Sequence, residues 1–389
     1  MRGGLRRRPP GRYLGRMAGC DVVVVGGGVI GCAVAFELAC EGASVVLVER
    51  DEIGAHASGA AAGMLAPIAE SSGSGPLVDL GLRSLDRIAR RLPELEELSG
   101  IDPKLLRCGV LRLAPPGEVE DLRAAAAALA GHACEWLDPD ELHKREPRLA
   151  EEWGGALWAA REACLDPLSL TRAYAVSAER RGADVRPSTA ARGVIRDGAR
   201  VAGIRTDAGD IPAGDVVLCA GVWSGAIGAA LGRDFPIEPV KGQILELEAP
   251  EPTLPAILWT PDVYLVPRPD GSLRVGATVE RAGFDARPTA GAVAALLEAA
   301  CGVLPPLSEC RFERAWAGLR PATPDRLPLV GRVAGRPGLW IAAGHYRNGI
   351  LLSALTAECL AAELVRGEAP PELKALDPSR FSSAAATRT

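Results

Sequence analysis

DVVVVGGGVIGCAVAFELACEGASVVLVER, Asp21 to Arg50, decides how the rest of the chain is read. The valine run reads as a buried strand. Gly26, Gly28 and Gly31 make a tight turn, and an apolar helix follows. A second strand, Ser44 to Val48, ends on Glu49, about 20 residues past the glycines, which is the spacing of a dinucleotide-binding βαβ unit. Each part has a chemical reason. Glycines let the backbone approach a pyrophosphate, a helix N-terminus favours its negative charge, and a carboxylate accepts hydrogen bonds from a ribose diol. An acid at position 49 argues against a 2′-phosphate, hence against NADP. A purely structural glycine turn is the competing reading, and the strand–turn–helix context with its acid weighs against it.

A second motif stands more than three hundred residues later: GHYRNGILL, Gly344 to Leu352. Leu339 to Ala343 reads as a short buried strand, and Gly344 is expected to start the last helix, running to about Glu363. Between the two motifs, DVVLC at Asp215 to Cys219 is another buried strand, ending in the small residues around Gly221. Gly54 to Pro67 is a small-residue loop, a composition that lets backbone and ligand come close. Alternating segments at Pro236 to Glu248 and Val263 to Ala277 read as antiparallel strands.

These pieces predict an α/β protein: a Rossmann-like nucleotide-binding domain built from discontinuous segments, with an inserted antiparallel-sheet domain. The expected division gives residues 20–100, 160–235 and 316–366 to the nucleotide domain and 101–159 and 236–315 to a substrate domain. Residues 1–19 read as a disordered extension, with Met17 the natural start of the folded part, and 367–389 as a tail.

A chain of 389 residues with 48% hydrophobic content and a net charge of −5 has the composition of an ordinary globular protein. Nothing suggests nucleic acid, because the one basic cluster is at the extreme N-terminus. No apolar run reaches the ~18 residues of a membrane span, so no membrane association is expected. Ten cysteines without a C-x-x-C pair read as reduced packing residues of a cytoplasmic protein. Four histidines, none at ligand spacing, predict no metal site. Of 44 basic residues only four are lysine, so arginine identity alone singles out no position.

The chain resembles the D-amino-acid oxidase superfamily of flavoproteins, and more closely the glycine oxidases of thiazole (thiamine) biosynthesis. The similarity rests on GGGVIG with Glu49-Arg50, S-x-x-A-A-G-M-L-A-P at Ser58 to Pro67, and LCAGVWS. It continues through VYLVPRPDGSLRVGATVE, AGLRPATPDRLPLVG and GHYRNGILL, from about Asp21 to Leu360. The resemblance implies noncovalent FAD and a small amino-acid substrate such as glycine, sarcosine or D-alanine. It also implies oxidation to the imine and 2-oxo acid with dioxygen as acceptor, release of hydrogen peroxide, and a homotetramer.

It further implies cofactor contacts from Gly26, Gly28, Val29, Ile30, Gly31, Glu49 and Arg50. Ala57, Ser58, Ala62, Gly63, Met64, Ala191 and Gly221 are implied in the middle of the chain. His345, Tyr346, Arg347, Asn348, Gly349, Ile350 and Leu351 are implied at the end, where the positive end of a helix would face the reduced flavin. Met64 also reads as an ordinary core methionine.

No catalytic side chain is implied, because hydride passes directly to flavin. The substrate carboxylate must instead be held, and a guanidinium does this bidentately. Arg320 matches the family's carboxylate-binding position and Tyr264 the tyrosine beside it, although Tyr264 also reads as a half-buried sheet residue. Arg347 would add a second positive charge. Two other readings stand beside this one: a D-amino-acid or sarcosine dehydrogenase using another acceptor, and a noncatalytic FAD-containing scaffold subunit.

Overall fold

The computed structural model describes residues 19–70, 75–230, 234–251 and 253–381. The expectations for residues 1–18, including a start at Met17, and for the end of the tail lie outside the described residues.

The quoted stretch forms its βαβ unit. Strand Cys20–Val25 lies at the centre of an eight-stranded sheet, parallel to Val45–Val48 on one side and Gly209–Leu218 on the other. Val23 faces Val46 and Val216 in register. Leu339–Ala343 adds a further parallel strand beside Gly209–Leu218, and Asp184–Arg186 adds one beside Val45–Val48. Residues 22–25, 45–48, 216–218 and 339–343 are buried on both faces, which is why they read as continuous apolar runs, whereas Asp184–Arg186 at the sheet edge is partly exposed. The helix Val29–Cys40 shows the same logic. Every residue from Val29 to Ala39 is buried, since other helices cover it. By contrast, Pro76–Ser99 buries a single stripe that includes Leu80, Leu85, Ile88 and Leu95. It packs with Val29–Cys40, Pro167–Arg180 and Gly349–Ala361 into one core.

A second eight-stranded sheet holds the alternating segments. Its order is Phe312–Ala322, Glu238–Glu248, Ser272–Gly276, Tyr264–Pro267, Ile257–Trp259, Val110–Leu113, Ala156–Ala159 and Cys134–Leu137. All neighbours are antiparallel except Ile257–Trp259 against Val110–Leu113. The division expected at residue 316 falls inside Phe312–Ala322. That strand pairs along its whole length with Glu238–Glu248, and Val240 faces Arg320. Among the described residues no helix is long and apolar enough to cross a membrane.

Candidate active site

The glycine turn is held by its own acid. Glu49 is buried, and its carboxylate accepts the Gly27 N–H at 2.7 Å and the Asp51 N–H at 2.9 Å. Each carboxylate oxygen has a second lone pair, so both remain able to accept from a ligand. Gly31 is packed so closely that a methyl group there would run into the Gly26 carbonyl oxygen. It supports the turn from behind and does not reach the cavity wall, whereas Gly26, Gly28, Val29 and Ile30 do. The Ser58 hydroxyl accepts the Val29 N–H at 2.9 Å, at the open end of the helix. At the same end Arg50 lies over the Trp223 ring, 4.0 Å from its centroid, and His56 bonds Asp51 at 2.7 Å.

The C-terminal motif reaches the cavity through a turn. Gly344 does not begin the last helix, which starts at Gly349 after Asn348. The intervening residues include Tyr346 in the left-handed region, with φ of 49°. The Tyr346 N–H donates to the Pro321 carbonyl at 2.8 Å, which ties this turn to the end of the strand bearing Arg320. His345, Tyr346, Arg347, Gly349 and Ile350 line the cavity. Asn348 and Leu351 do not. The Asn348 N–H is spent on the His345 carbonyl at 2.9 Å, and Leu351 points into the helical core. His345 is buried, which lowers its pKa to about 3 and keeps it neutral, and its Nε2 lies 3.1 Å from the Thr356 hydroxyl.

Arg320 and Tyr264 meet at the other end of the same cavity, each over a glycine of a neighbouring strand. The Arg320 guanidinium covers Gly242 so closely that a Cβ there would collide with it, and the Tyr264 ring covers Gly276 in the same way. Nη1 of Arg320 donates to the carbonyls of Thr278 at 2.9 Å and Lys241 at 3.4 Å, which fixes the plane of the fork. Burial pushes the Tyr264 phenol up, and its hydroxyl is within hydrogen-bond reach of Arg320. Arg347 faces the same space. Burial opposes its charge, but Glu70, Tyr346 and Tyr264 together outweigh this and hold the guanidinium above its usual range.

The remaining expected residues, Ala57, Ala62, Gly63, Met64, Ala191 and Gly221, also line the cavity. Sequence reasoning missed Glu70, Trp223 and Thr189, which line it too. Trp223 stands inside the quoted LCAGVWS motif, so a signal for it was present. Glu70 is a single acid after a loop and carried none.

Glu162 explains how that loop is held. Its carboxylate is fully buried and accepts the backbone N–H groups of Ile68 and Ala69, the latter at 3.2 Å. Burial raises its pKa from an ordinary 4.5 to about 8. The folded state therefore holds a proton that the unfolded state has lost, so stability falls as pH rises between about 4.5 and about 8. Glu162→Gln cannot ionise. Its melting temperature should drop less than wild type between pH 6 and pH 8.5, and an equal drop in both would refute the assignment.

The cavity, of about 370 Å³, runs continuously from the glycine turn, Glu49 and Arg50 to Arg320 and Tyr264. Small residues along its wall, a helix N-terminus at one end and an acid beside it make a donor set that suits a dinucleotide carrying a flat ring. Residues forward of the turn, Val29 and Ser58 among them, would hold the pyrophosphate, Glu49 the ribose, and Met64, Gly349 and Ile350 the ring.

The comparisons agree. Residues 21–363 match the family described as "FAD dependent oxidoreductase" (DAO). The bifunctional protein ThiO/ThiG of Nostoc sp. is 35% identical over 371 residues, covering 94% of this chain and 56% of that protein. The chain thus spans little more than half the length of that relative. The glycine oxidase of Geobacillus kaustophilus is 38% identical over 350 residues, covering 89% of this chain and 92% of the relative. A crystal structure of the Geobacillus kaustophilus enzyme superposes with a TM-score of 0.88 at 37% identity, over 93% of this chain and 99% of that one. An iminodiacetate oxidase from Chelativorans sp. superposes at 0.82 with 27% identity, over 92% and 99%. The fold, the glycine turn with its acid and the matched length place this chain in the DAO family of FAD-dependent oxidoreductases.

Proposed function

We propose that the chain oxidises the amine of glycine, or of a comparably small amino acid such as sarcosine or D-alanine. The imine formed would hydrolyse to the 2-oxo acid with release of ammonia, or of methylamine from sarcosine, and the glycine imine could instead enter assembly of the thiamine thiazole ring. Dioxygen is the acceptor in this reading, and hydrogen peroxide its product. The observation that carries the proposal is the Arg320 guanidinium, fixed over Gly242 beside the Tyr264 hydroxyl at one end of the cofactor cavity. The names of the relatives support the substrate.

Bound FAD supplies a two-electron acceptor. The chain's own residues do the rest. Arg320 holds the carboxylate by its fork, and Tyr264 adds one hydroxyl contact. One fixed end then sets where the Cα–H of a small substrate points. His345, held neutral by burial, adds no charge to the cavity wall. Noncovalent attachment, a cytoplasmic location and a homotetramer belong to the same proposal.

The test is a substrate panel with peroxide detection on the purified holoprotein. Glycine, sarcosine and D-alanine should consume oxygen and release peroxide stoichiometrically, and heating should free the flavin into the supernatant. Turnover only with an artificial electron acceptor would replace the oxidase reading by a dehydrogenase one. No turnover with any amine under either condition would sink both.

A further inference from the structure

The cavity contains more charge than one carboxylate anchor requires. Arg320 and Arg347 both line it, and so does Glu70. Glu70 lies within electrostatic reach of both guanidinium groups, and Arg347 in turn is influenced by Glu70 above any other charge. Nor is Glu70 a loose loop acid. The two residues before it, Ile68 and Ala69, have their N–H groups clamped by the buried carboxylate of Glu162, and its own N–H bonds the Ala66 carbonyl at 3.2 Å. A buried acid thus fixes the backbone that delivers Glu70 to the wall.

We infer that Glu70 is a specificity-determining residue: its carboxylate cancels one of the two guanidinium charges, so that the cavity accepts amines bearing one acidic group and rejects those bearing two. Burial pushes the Glu70 carboxyl above its usual range, against the pull of Arg347 and Arg320, and once ionised it leaves the three side chains with one net positive charge, matched by the one carboxylate that Arg320 holds. A second carboxylate, on the amine nitrogen or on Cα, would meet Glu70 instead of a free cation. Like charges in a poorly solvated site repel by more than they do in water. The relative named for iminodiacetate shows that a diacid amine is compatible with the fold, so discrimination must come from side chains. This inference rests on the reading of Arg320 as the carboxylate anchor.

Two unreactive acids separate the two ideas. Methoxyacetate has the shape of sarcosine and one carboxylate, and diglycolate has the shape of iminodiacetate and two. Binding of each is read from the perturbed flavin absorbance of the holoprotein, so no turnover is needed. Wild type should bind methoxyacetate more tightly than diglycolate. Glu70→Gln should shift the ratio of the two dissociation constants toward diglycolate by about tenfold or more, the effect of about 1.4 kcal/mol. Glu70→Ala should shift it the same way, and Arg347→Gln should shift it the opposite way. The kcat/KM of iminodiacetate relative to sarcosine should follow the same order. A ratio unchanged in both Glu70 variants overturns the assignment, as does wild type preferring diglycolate. Failure of methoxyacetate to bind wild type would instead strike the Arg320 anchor, and the diacid inference would fall with it.

Discussion

Arg320→Ala should retain FAD and fold but lose roughly ten- to two-hundred-fold in kcat/KM with glycine. A charge-assisted, two-point contact contributes about 1.5–3 kcal/mol, and its loss appears as transition-state stabilisation forgone. Arg320→Lys should recover only part, because an ammonium restores the charge without the fork. Tyr264→Phe should be the mildest of the three. It removes one hydroxyl and leaves the ring over Gly276. Steady-state kinetics with flavin content measured alongside decide the order. Near wild-type efficiency for Arg320→Ala would move the anchor elsewhere, and Arg347 would be the next residue to replace.

Gly31→Ala should be more damaging still, and in a different way. The added methyl meets the Gly26 carbonyl oxygen, part of the turn itself, and a backbone atom cannot rotate aside. Overpacking of this kind costs about 1–3 kcal/mol even where side chains can adjust. The purified variant should carry less than about a tenth of the wild-type flavin, with a lowered melting temperature. Gly291→Ala is the control. It lies exposed at the start of the helix Ala290–Val303 with nothing near its would-be Cβ, and should be neutral or slightly stabilising. A yellow, fully loaded Gly31→Ala protein would show that the turn tolerates displacement.

Local pattern carried the sequence reading where the determinants are local. The valine strand, the helix after it, apolar but for Glu37, and the alternating strands were legible because burial on two faces or one leaves its period in the residues. The reading failed where a distant partner decides. Nothing between Gly344 and Asn348 says that Tyr346 will turn left-handed, because the Pro321 carbonyl that receives its N–H belongs to another strand. Moving the helix start to Gly349 then sets which residues face the cavity: Gly349 and Ile350 do, and Leu351, about 100° further round, does not. Arg320 was recoverable among forty arginines only through its motif. Glu70 and Glu162 have no motif at all, and their meaning appears only when the loop between them and the cavity is folded.

The order of strands in the central sheet also governs when this protein becomes functional during its own synthesis. Val23 pairs with Val216, and Val217 with Trp340, so neighbouring strands are supplied by widely separated stretches of translation. Closing such long loops is slow relative to forming local helices and hairpins. The first βαβ unit emerges with its glycine turn, yet the turn that completes the cavity, Gly344 to Gly349, follows more than three hundred residues later. A nascent chain therefore carries a half-built nucleotide site until that turn emerges. The complete cavity cannot form until the segment through Ile350 has left the ribosome, so topology sets the earliest moment at which the whole flavin site exists.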